Sequence, residues 1–285
     1  MTRRPQLIAM GDNCLDVYLS KDRMAVGGNA LNVAAQWRLM GLPARYFGVV
    51  GEDSEGDVIL DGLAGVGLSP EDIERRPGST TVTLIRDKNG DRSFLLEDLG
   101  VGFGYVPDAD RQAEMLAADW LHLGTNTDAG LVCLLVSEGA RFSVDVSTRH
   151  DDLPLAGVPL AFASGPEDPS EPIEPVLAAF RARGALNTLV TCGSCGAYFD
   201  SGSAITHVPA HKIAVVDTCG AGDSFAATFL ARYIVDGLSV EAAMQQATVA
   251  AAATCLHEGG FPQPLKPIPL WLFDKYSRVI VGADS

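Results

Sequence analysis

Short apolar runs that stop at glycine and give way to helix-like segments recur along this chain, and they constrain its fold more than any other feature. Residues 6–10 are apolar and end at Gly11-Asp12-Asn13, after which residues 15–19 resume an extended pattern. Gly27-Gly28 opens a helix that runs to about Met40 and closes at Gly41-Leu42-Pro43, where glycine and proline belong just past a helix end. Residues 45–50 read as the next strand, and residues 51–56 turn into a helix through about Ala64. This β-α-β-α order predicts a mostly parallel sheet with helices on its faces. The rhythm returns with strands at 120–123, 142–146, 160–163 and 188–191, and with helices at 174–183, about 224–235 and 240–255.

Residues 80–88 and 91–97 break that rhythm. They are strand-like and joined by Asn89-Gly90, a dipeptide suited to the tight turn of a hairpin. Val82 and Leu84 fall on one face and Ile85 on the other, with Phe94, Leu95 and Leu96 following, so the hairpin is expected to pack against something beyond its own sheet. An antiparallel edge of the main sheet is the simpler alternative. Residues 165–175 carry four prolines and read as an ordered loop, not a linker. No internal repeat divides the chain, which reads as one domain over residues 1–285.

Residues 215–225 run Val-Val-Asp-Thr-Cys-Gly-Ala-Gly-Asp-Ser-Phe. A strand-like run at 212–216 leads through Gly-Ala-Gly into a helix starting near Ser224. The first N–H groups of a helix lack partners and sit at the positive end of its dipole, so this turn is a candidate anion site. Asp223 stands where an anion would dock, a position that repulsion disfavours unless its task is to take a proton. The plain alternative is an aspartate favoured by the dipole, beside glycines that only tighten the turn.

The formal net charge of -15 argues against a nucleic-acid groove, which needs a basic stripe. A polyanionic ligand would then depend on backbone N–H groups and a bound cation. Arg3-Arg4 precedes an apolar run too short for a signal core, and the alanine-rich run at 249–256 is too short for a bilayer. Six cysteines at this length do not read as a disulfide framework, so a reduced, cytoplasmic protein is expected. Cys192-x2-Cys195 and His207-x3-His211 approach zinc-finger spacing, but Pro209 prevents the helix whose face the two histidines would share. No dinucleotide-binding G-x-G-x-x-G follows a strand, and no Walker-type P-loop is present. The turn at 191–196 instead reads as a second anion loop at the carboxyl end of a strand, facing the same phosphate chain as the 220–222 turn.

Asp217-Thr218-Cys219-Gly220-Ala221-Gly222-Asp223 resembles the signature of the ribokinase-like sugar kinases, the PfkB family. Gly27-Gly28-Asn29-x-x-Asn32-x-Ala34 resembles that family's N-terminal signature. Gly48-x-x-Gly51-x-Asp53-x-x-Gly56 and Thr191-x-Gly193-x-x-Gly196 match further family features in the same order, so the likeness spans nearly the whole chain. Within the family, Gly11-Asp12-Asn13-Cys14-Leu15-Asp16-Val17-Tyr18 and Phe162-Ala163-Ser164-x-Pro166 are similar to fructoselysine 6-kinases.

The resemblance implies a ribokinase-like three-layer αβα sandwich with a mostly parallel central sheet. It also implies a small β lid, with strands within about 14–28 and 80–98, that often serves as a dimer clasp. The implied reaction moves a phosphoryl group from ATP, with Mg2+, to a primary hydroxyl of a sugar or sugar conjugate. A fructosamine such as fructoselysine, phosphorylated at O6, is the acceptor that the nearest motifs imply. Asp223 would be the base, and the N–H groups of Gly220, Ala221 and Gly222 the anion hole. Asp16, Gly28, Asn29 and Asn32 would hold sugar hydroxyls, while Thr191, Gly193 and Gly196 would line the ATP phosphates. Asp217 and the Cys219 carbonyl fall where many members bind a monovalent cation such as K+. Glu167 stands at the magnesium-organising position of the family's Asn-x-x-Glu, with Ser164 replacing the asparagine.

Glu97-Asp98, at the end of the implied lid, offers carboxylates to an amino-acid ammonium. A free ketose, a deoxy-keto acid or a nucleoside is the alternative acceptor. A non-catalytic sugar or nucleotide sensor on the same fold is the alternative outside enzymes, and the intact Asp223 argues against it. Beside the helix dipole, Asp223 is expected to have a low pKa and to act as a weak base on a proton that leaves late.

Overall fold

The computed structural model describes residues 5–88 and 91–282. Strands β1 (Leu7–Met10), β2 (Cys14–Tyr18) and β3 (Arg23–Gly27) precede helix α1 (Asn29–Leu39), β4 (Ala44–Gly51) and α2 (Ser54–Gly65). Next come β5 (Ile73–Arg76), β6 (Val82–Lys88), β7 (Asp91–Asp98), α3 (Ala109–Ala117), β8 (Trp120–Leu123) and α4 (Ala129–Ser137). They are followed by β9 (Phe142–Asp145), β10 (Leu160–Ser164), α5 (Glu174–Ala182), β11 (Thr188–Thr191), β12 (Ala197–Asp200) and β13 (Ile205–Val208). Helices α6 (Ala221–Leu230), α7 (Val240–Thr254) and α8 (Leu270–Gly282) complete the order.

Nine strands form one sheet, in the order β13-β12-β11-β10-β9-β8-β1-β4-β5. Every neighbouring pair from β11 to β5 is parallel, and β12 and β13 add an antiparallel edge. Side chains alternate across the sheet with period two. Along β1, Leu7 and Ala9 enter one apolar core while Ile8 and Met10 enter the other. The first core gathers residues of α1, α2, α6, α7 and α8, among them Trp37, Ile59, Phe229, Met244 and Leu272. The second gathers Met115, Leu131 and Phe180 from α3, α4 and α5. Covering both faces is what a parallel sheet requires, and the result is the expected three-layer sandwich. Among the described residues, no helix is long and apolar enough to cross a membrane.

The hairpin strands lie in a second sheet, of order β3-β2-β6-β7, not at the edge of the first. Leu15, Val17, Val82 and Leu84 turn one face of this small sheet into the first core. The Asn89-Gly90 turn lies outside the described residues. Asp53 fastens the small sheet to the large one. Its Oδ1 caps α2 by accepting the Gly56 N–H at 3.0 Å and also accepts the Thr80 hydroxyl at 2.5 Å, while Oδ2 accepts the Thr80 N–H at 2.9 Å. The glycine motif at 48–56 is therefore a clamp between β4, α2 and the entry to β6.

Two expectations need correction. Residues 212–216 form no strand, and Val215 and Val216 are each 57% exposed. β-Branched residues favour strands only where a neighbouring strand accepts them. Here Val216 donates its N–H to the Cys255 carbonyl at 2.9 Å instead. The 220–222 turn is thus not preceded by a strand, unlike the turn at 191–196. Helix α6 begins at Ala221, three residues before Ser224, because Gly220 takes the left-handed conformation at its N-cap, and its α-helical part stops at Leu230 before a π-helical turn. The tail from Gly259, proline-rich and then apolar in sequence, holds α8, anchored by buried Leu272 and Tyr276.

Trp37 joins α1 to α6, its indole N–H donating to the buried Ala227 carbonyl at 2.9 Å. Trp37→Phe removes that donor while the carbonyl keeps the Ala231 N–H as a partner, so urea unfolding should register a loss of about 0.5–1.5 kcal/mol with an unchanged m-value.

Candidate active site

Strand β1 has β4 on one side and β8 on the other, so the chain builds the sheet outward in both directions from this point. Open α/β sheets bind ligands at the carboxyl ends beside such a switch point. Two helices start there, both at glycines without a side-chain cap: α1 at Gly28, with φ +113°, and α6 at Gly220, with φ +72°. Helices α2, α3, α4 and α7 are capped by Asp53, Asp108, Asp128 and Ser239. The Ala221 N–H donates to the Thr218 carbonyl at 3.2 Å, whereas those of Gly222 and Asp223 have no protein partner among the described residues.

Asp223 sits at this junction. Its Oδ1 accepts from Asn29 Nδ2 at 2.7 Å and its Oδ2 from Asn32 Nδ2 at 2.6 Å, so both asparagines of the N-terminal motif converge on one carboxylate. Two further acids flank it. Asp12, just after β1, accepts the Asn29 backbone N–H at 3.0 Å, and Asp145, the last residue of β9, accepts from Asn29 Nδ2 at 2.9 Å. Burial pushes the Asp223 carboxyl well above the ordinary carboxylate range, with the charges of Asp145 and Asp12 adding to the rise and the Asn32 and Asn29 donors opposing it. The low pKa expected from the helix dipole is overturned, because withdrawal from water and two neighbouring acids outweigh it. Burial likewise raises Asp145, and raises Asp12 to about 6.

Asp16 lies one step away on β2. A Cβ on Gly27 would stand 2.6 Å from its Oδ2 and 3.8 Å from Asn32 Oδ1, which places Asp16 beside the asparagine cluster. The Cys14 and Cys219 thiols both donate to it, at 3.3 and 3.9 Å. Asp217 is buried and accepts the Cys219 N–H at 2.9 Å, the Gly259 N–H at 3.2 Å and the Tyr18 hydroxyl at 3.2 Å. It ties the turn before α6 to β2 and to the glycine pair 259–260.

The second glycine turn follows β11. Gly193 and Gly196 adopt φ +50° and +93°, and a Cβ on Gly196 would meet the Val208 carbonyl oxygen at 2.1 Å. Glu167 packs over this turn, its carboxyl carbon 3.0 Å from where a Gly193 Cβ would be. Thr191 ends β11 in register with Ser164 of β10, and β9 with Asp145 is the next strand. Asp145 pairs with Phe162, two residues before Ser164, so Thr191 and Asp145 are two strand spacings and a two-residue offset apart, roughly 12 Å. His207 lies on β13, where its Nε2 meets the Cys195 carbonyl at 3.0 Å.

Comparison with known proteins accords with this geometry. The model of the pfkB family of carbohydrate kinases matches residues 6–129 and 159–265, well over half the chain. The chain belongs to that family. It is an ATP-dependent sugar kinase. Similar proteins include the fructosamine kinase FrlD of Bacillus subtilis (strain 168), 30% identical over 268 residues, covering 90% of this chain and 93% of that protein. The fructoselysine 6-kinase of Escherichia coli (strain K12) is 30% identical over 263 residues, covering 90% and 99%. Arabidopsis thaliana ribokinase complexed with ribose and ATP shares the ribokinase fold, with a TM-score of 0.78 at 21% identity over 90% of this chain and 94% of that one.

In this pfkB kinase, the motifs singled out Asp223, Asn29 and Asn32, contained Asp12 without giving it a role, and left out Asp145. A signal for both existed in the sequence: each is an acid at the carboxyl end of an expected strand. Gly260 was also missed, although a Cβ on Gly220 would lie 2.3 Å from its Cα. Gly220→Ala combines that collision with a disfavoured φ, and should abolish detectable phosphorylation while circular dichroism shows whether the sheet survives. Asp12 titrates near 6 in the folded chain against 3.8 when free, so its ionisation works against folding, and stability falls as pH rises from about 4 through 6. Asp12→Asn should therefore raise stability at pH 8 by about 1–3 kcal/mol and leave it unchanged below pH 4, as read from paired urea melts.

Proposed function

We propose that this kinase transfers the γ-phosphoryl group of ATP to a primary hydroxyl of a fructosamine, with O6 of fructoselysine as the preferred acceptor and Asp223 as the base. The observation that carries the reading is the Asp223 carboxylate, gripped by Asn29 and Asn32 at the uncapped start of α6. A base raised above the usual carboxylate range takes a hydroxyl proton more readily than an ordinary aspartate. Phosphoryl transfer asks mainly for positioning and for stabilisation of charge spreading over the phosphoryl oxygens. Of the expected anion hole of Gly220, Ala221 and Gly222, the Ala221 N–H is engaged by the Thr218 carbonyl at 3.2 Å, so the Gly220 and Gly222 N–H groups would supply the donors in line with the helix dipole. Thr191, Gly193 and Gly196 line the rest of the phosphate chain, along the carboxyl edge of the sheet.

Glu167 is the residue suited to hold Mg2+, since that ion keeps several waters and needs only one or two carboxylates beside the phosphates. When bound, it would neutralise charge on the phosphates. A monovalent cation such as K+ belongs to the same reading at Asp217 and the Cys219 carbonyl, where three donors already shape the turn. The small sheet would act as the lid that excludes water and as the surface joining two copies of the chain. A cytoplasmic location suits an enzyme that draws on ATP.

The names of the two bacterial relatives support a fructosamine acceptor, and so does the small sheet. Asp16 of β2, Thr83 of β6 and Glu97 of β7 are cross-strand partners, so they share the face opposite the first core. Glu97 is exposed, roughly 10 Å from Asp16 by two strand spacings. A sugar held at Asp16 would bring the cationic amine of a fructosamine toward Glu97. Free ketoses and nucleosides carry no such charge.

ADP release should be measured with fructoselysine, fructose, ribose and adenosine as acceptors. Fructoselysine is expected to give the highest kcat/KM, and Glu97→Gln to raise its KM without changing that for fructose. Absence of turnover on fructoselysine would sink the acceptor assignment. Asp223→Asn should lower kcat by about 10²–10⁴-fold, and the acid limb of the wild-type profile should fall above the usual carboxylate range, because only the ionised base is active. Full transfer by Asp223→Asn would refute the mechanism.

A further inference from the structure

Asp145 belongs to none of the sequence motifs, yet its two carboxylate oxygens are committed in different directions. Oδ1 accepts the Ser147 N–H at 2.7 Å, and Oδ2 accepts from Asn29 Nδ2 at 2.9 Å. The same Nδ2 gives its other hydrogen to Asp223 Oδ1 at 2.7 Å, while Asn29 Oδ1 accepts the Thr125 N–H at 3.3 Å. Asp12 holds the Asn29 backbone N–H. A carboxamide offers two hydrogens and one oxygen, and here each has a partner. Reversing the amide would set its oxygen against two carboxylates and its NH2 against the Thr125 N–H.

We propose that Asp145 is a positioning residue for phosphoryl transfer, holding the Asn29 carboxamide in the orientation that presents an N–H to Asp223. The proposal rests on the reading of Asp223 as the base. Asn29 and Asn32 take one oxygen each of that carboxylate and so fix its plane, leaving the remaining lone pairs for the substrate hydroxyl. Without a carboxylate at 145, nothing on β9 opposes the reversed amide, and the base loses one of its two restraints. Misplacement by about 1 Å costs on the order of a hundredfold in rate.

The alternative is a local role, in which Asp145 only holds the turn through Ser147. Asp145→Asn separates the two. Asparagine keeps an acceptor for the Ser147 N–H, but turns an NH2 toward Asn29 where the carboxylate was. With the acceptor turned over fastest in the screen above, Asp145→Asn is expected to lower kcat about 10- to 100-fold, with the sugar KM unchanged. In an Asn29→Ala background the same substitution should change kcat no further, since no amide remains to be oriented. Wild-type kcat in Asp145→Asn, or additive losses in the double variant, would overturn the proposal. Asp223→Asn is assayed beside them. If it kills turnover while the cycle is additive, only the role of Asp145 fails; if it keeps turnover, the base assignment fails and takes this role with it.

Discussion

The two hydrogen bonds from Asn29 and Asn32 to Asp223 join the start of α1 to the start of α6 across 194 and 191 residues of chain. Everything near the crevice serves that meeting. Two helix N-termini can approach this closely only where no Cβ intervenes. Gly220 and Gly260 nearly touch, and a Cβ on Gly260 would lie 2.2 Å from Asn32 Nδ2. Farther along the same helices, the Trp37 indole and the Ala227 carbonyl hold the pair together inside the first core. The apolar core thus sets the helix separation, and the glycines let the polar ends use it.

The electrostatic arrangement runs against stability. Asp12, Asp145 and Asp223 gather around one asparagine in a chain that already carries a formal charge of -15. Burial raises all three carboxyls, and repulsion from neighbouring acids adds to the rise at Asp12 and Asp223. Amide and backbone donors offset part of the cost, as do the positive ends of α1 and α6. A local conflict of this kind is expected at a functional site, where the placement of polar groups is not set by stability alone.

The small sheet is tied into the same centre from the other side. Its first face completes the apolar core through Leu15, Val17, Val82 and Leu84, and its second carries Asp16, Thr83 and Glu97. Tyr18 of β2 donates to Asp217, and Asp217 holds the turn that leads into α6. Any shift of β2 would therefore be felt at the start of the helix that carries Asp223. Period-two alternation lets one strand face the core and the crevice at once.

What could be read in the chain was what a residue's own backbone preferences and its near neighbours decide. Alternating strands and helices, the glycine turns at 27–28, 191–196 and 220–222, and the pairing of 80–88 with 91–97 are all local signals, and the motifs they carry named Asp223, Asn29 and Asn32. Other features depended on which strands became neighbours. Residues 212–216 have the composition of a strand but no strand beside them, so propensity alone misled. Asp145 gains its meaning only because β9 lies two strands from β1, which brings its carboxylate to the side chain of Asn29, while Asp12 reaches that residue's backbone. Asp223 was expected to be acidic from its helix and is pushed upward by burial, with acids remote in sequence adding to the rise. Sequence settles the conformation each segment can adopt; the charge a buried group can bear is settled by what the fold packs around it.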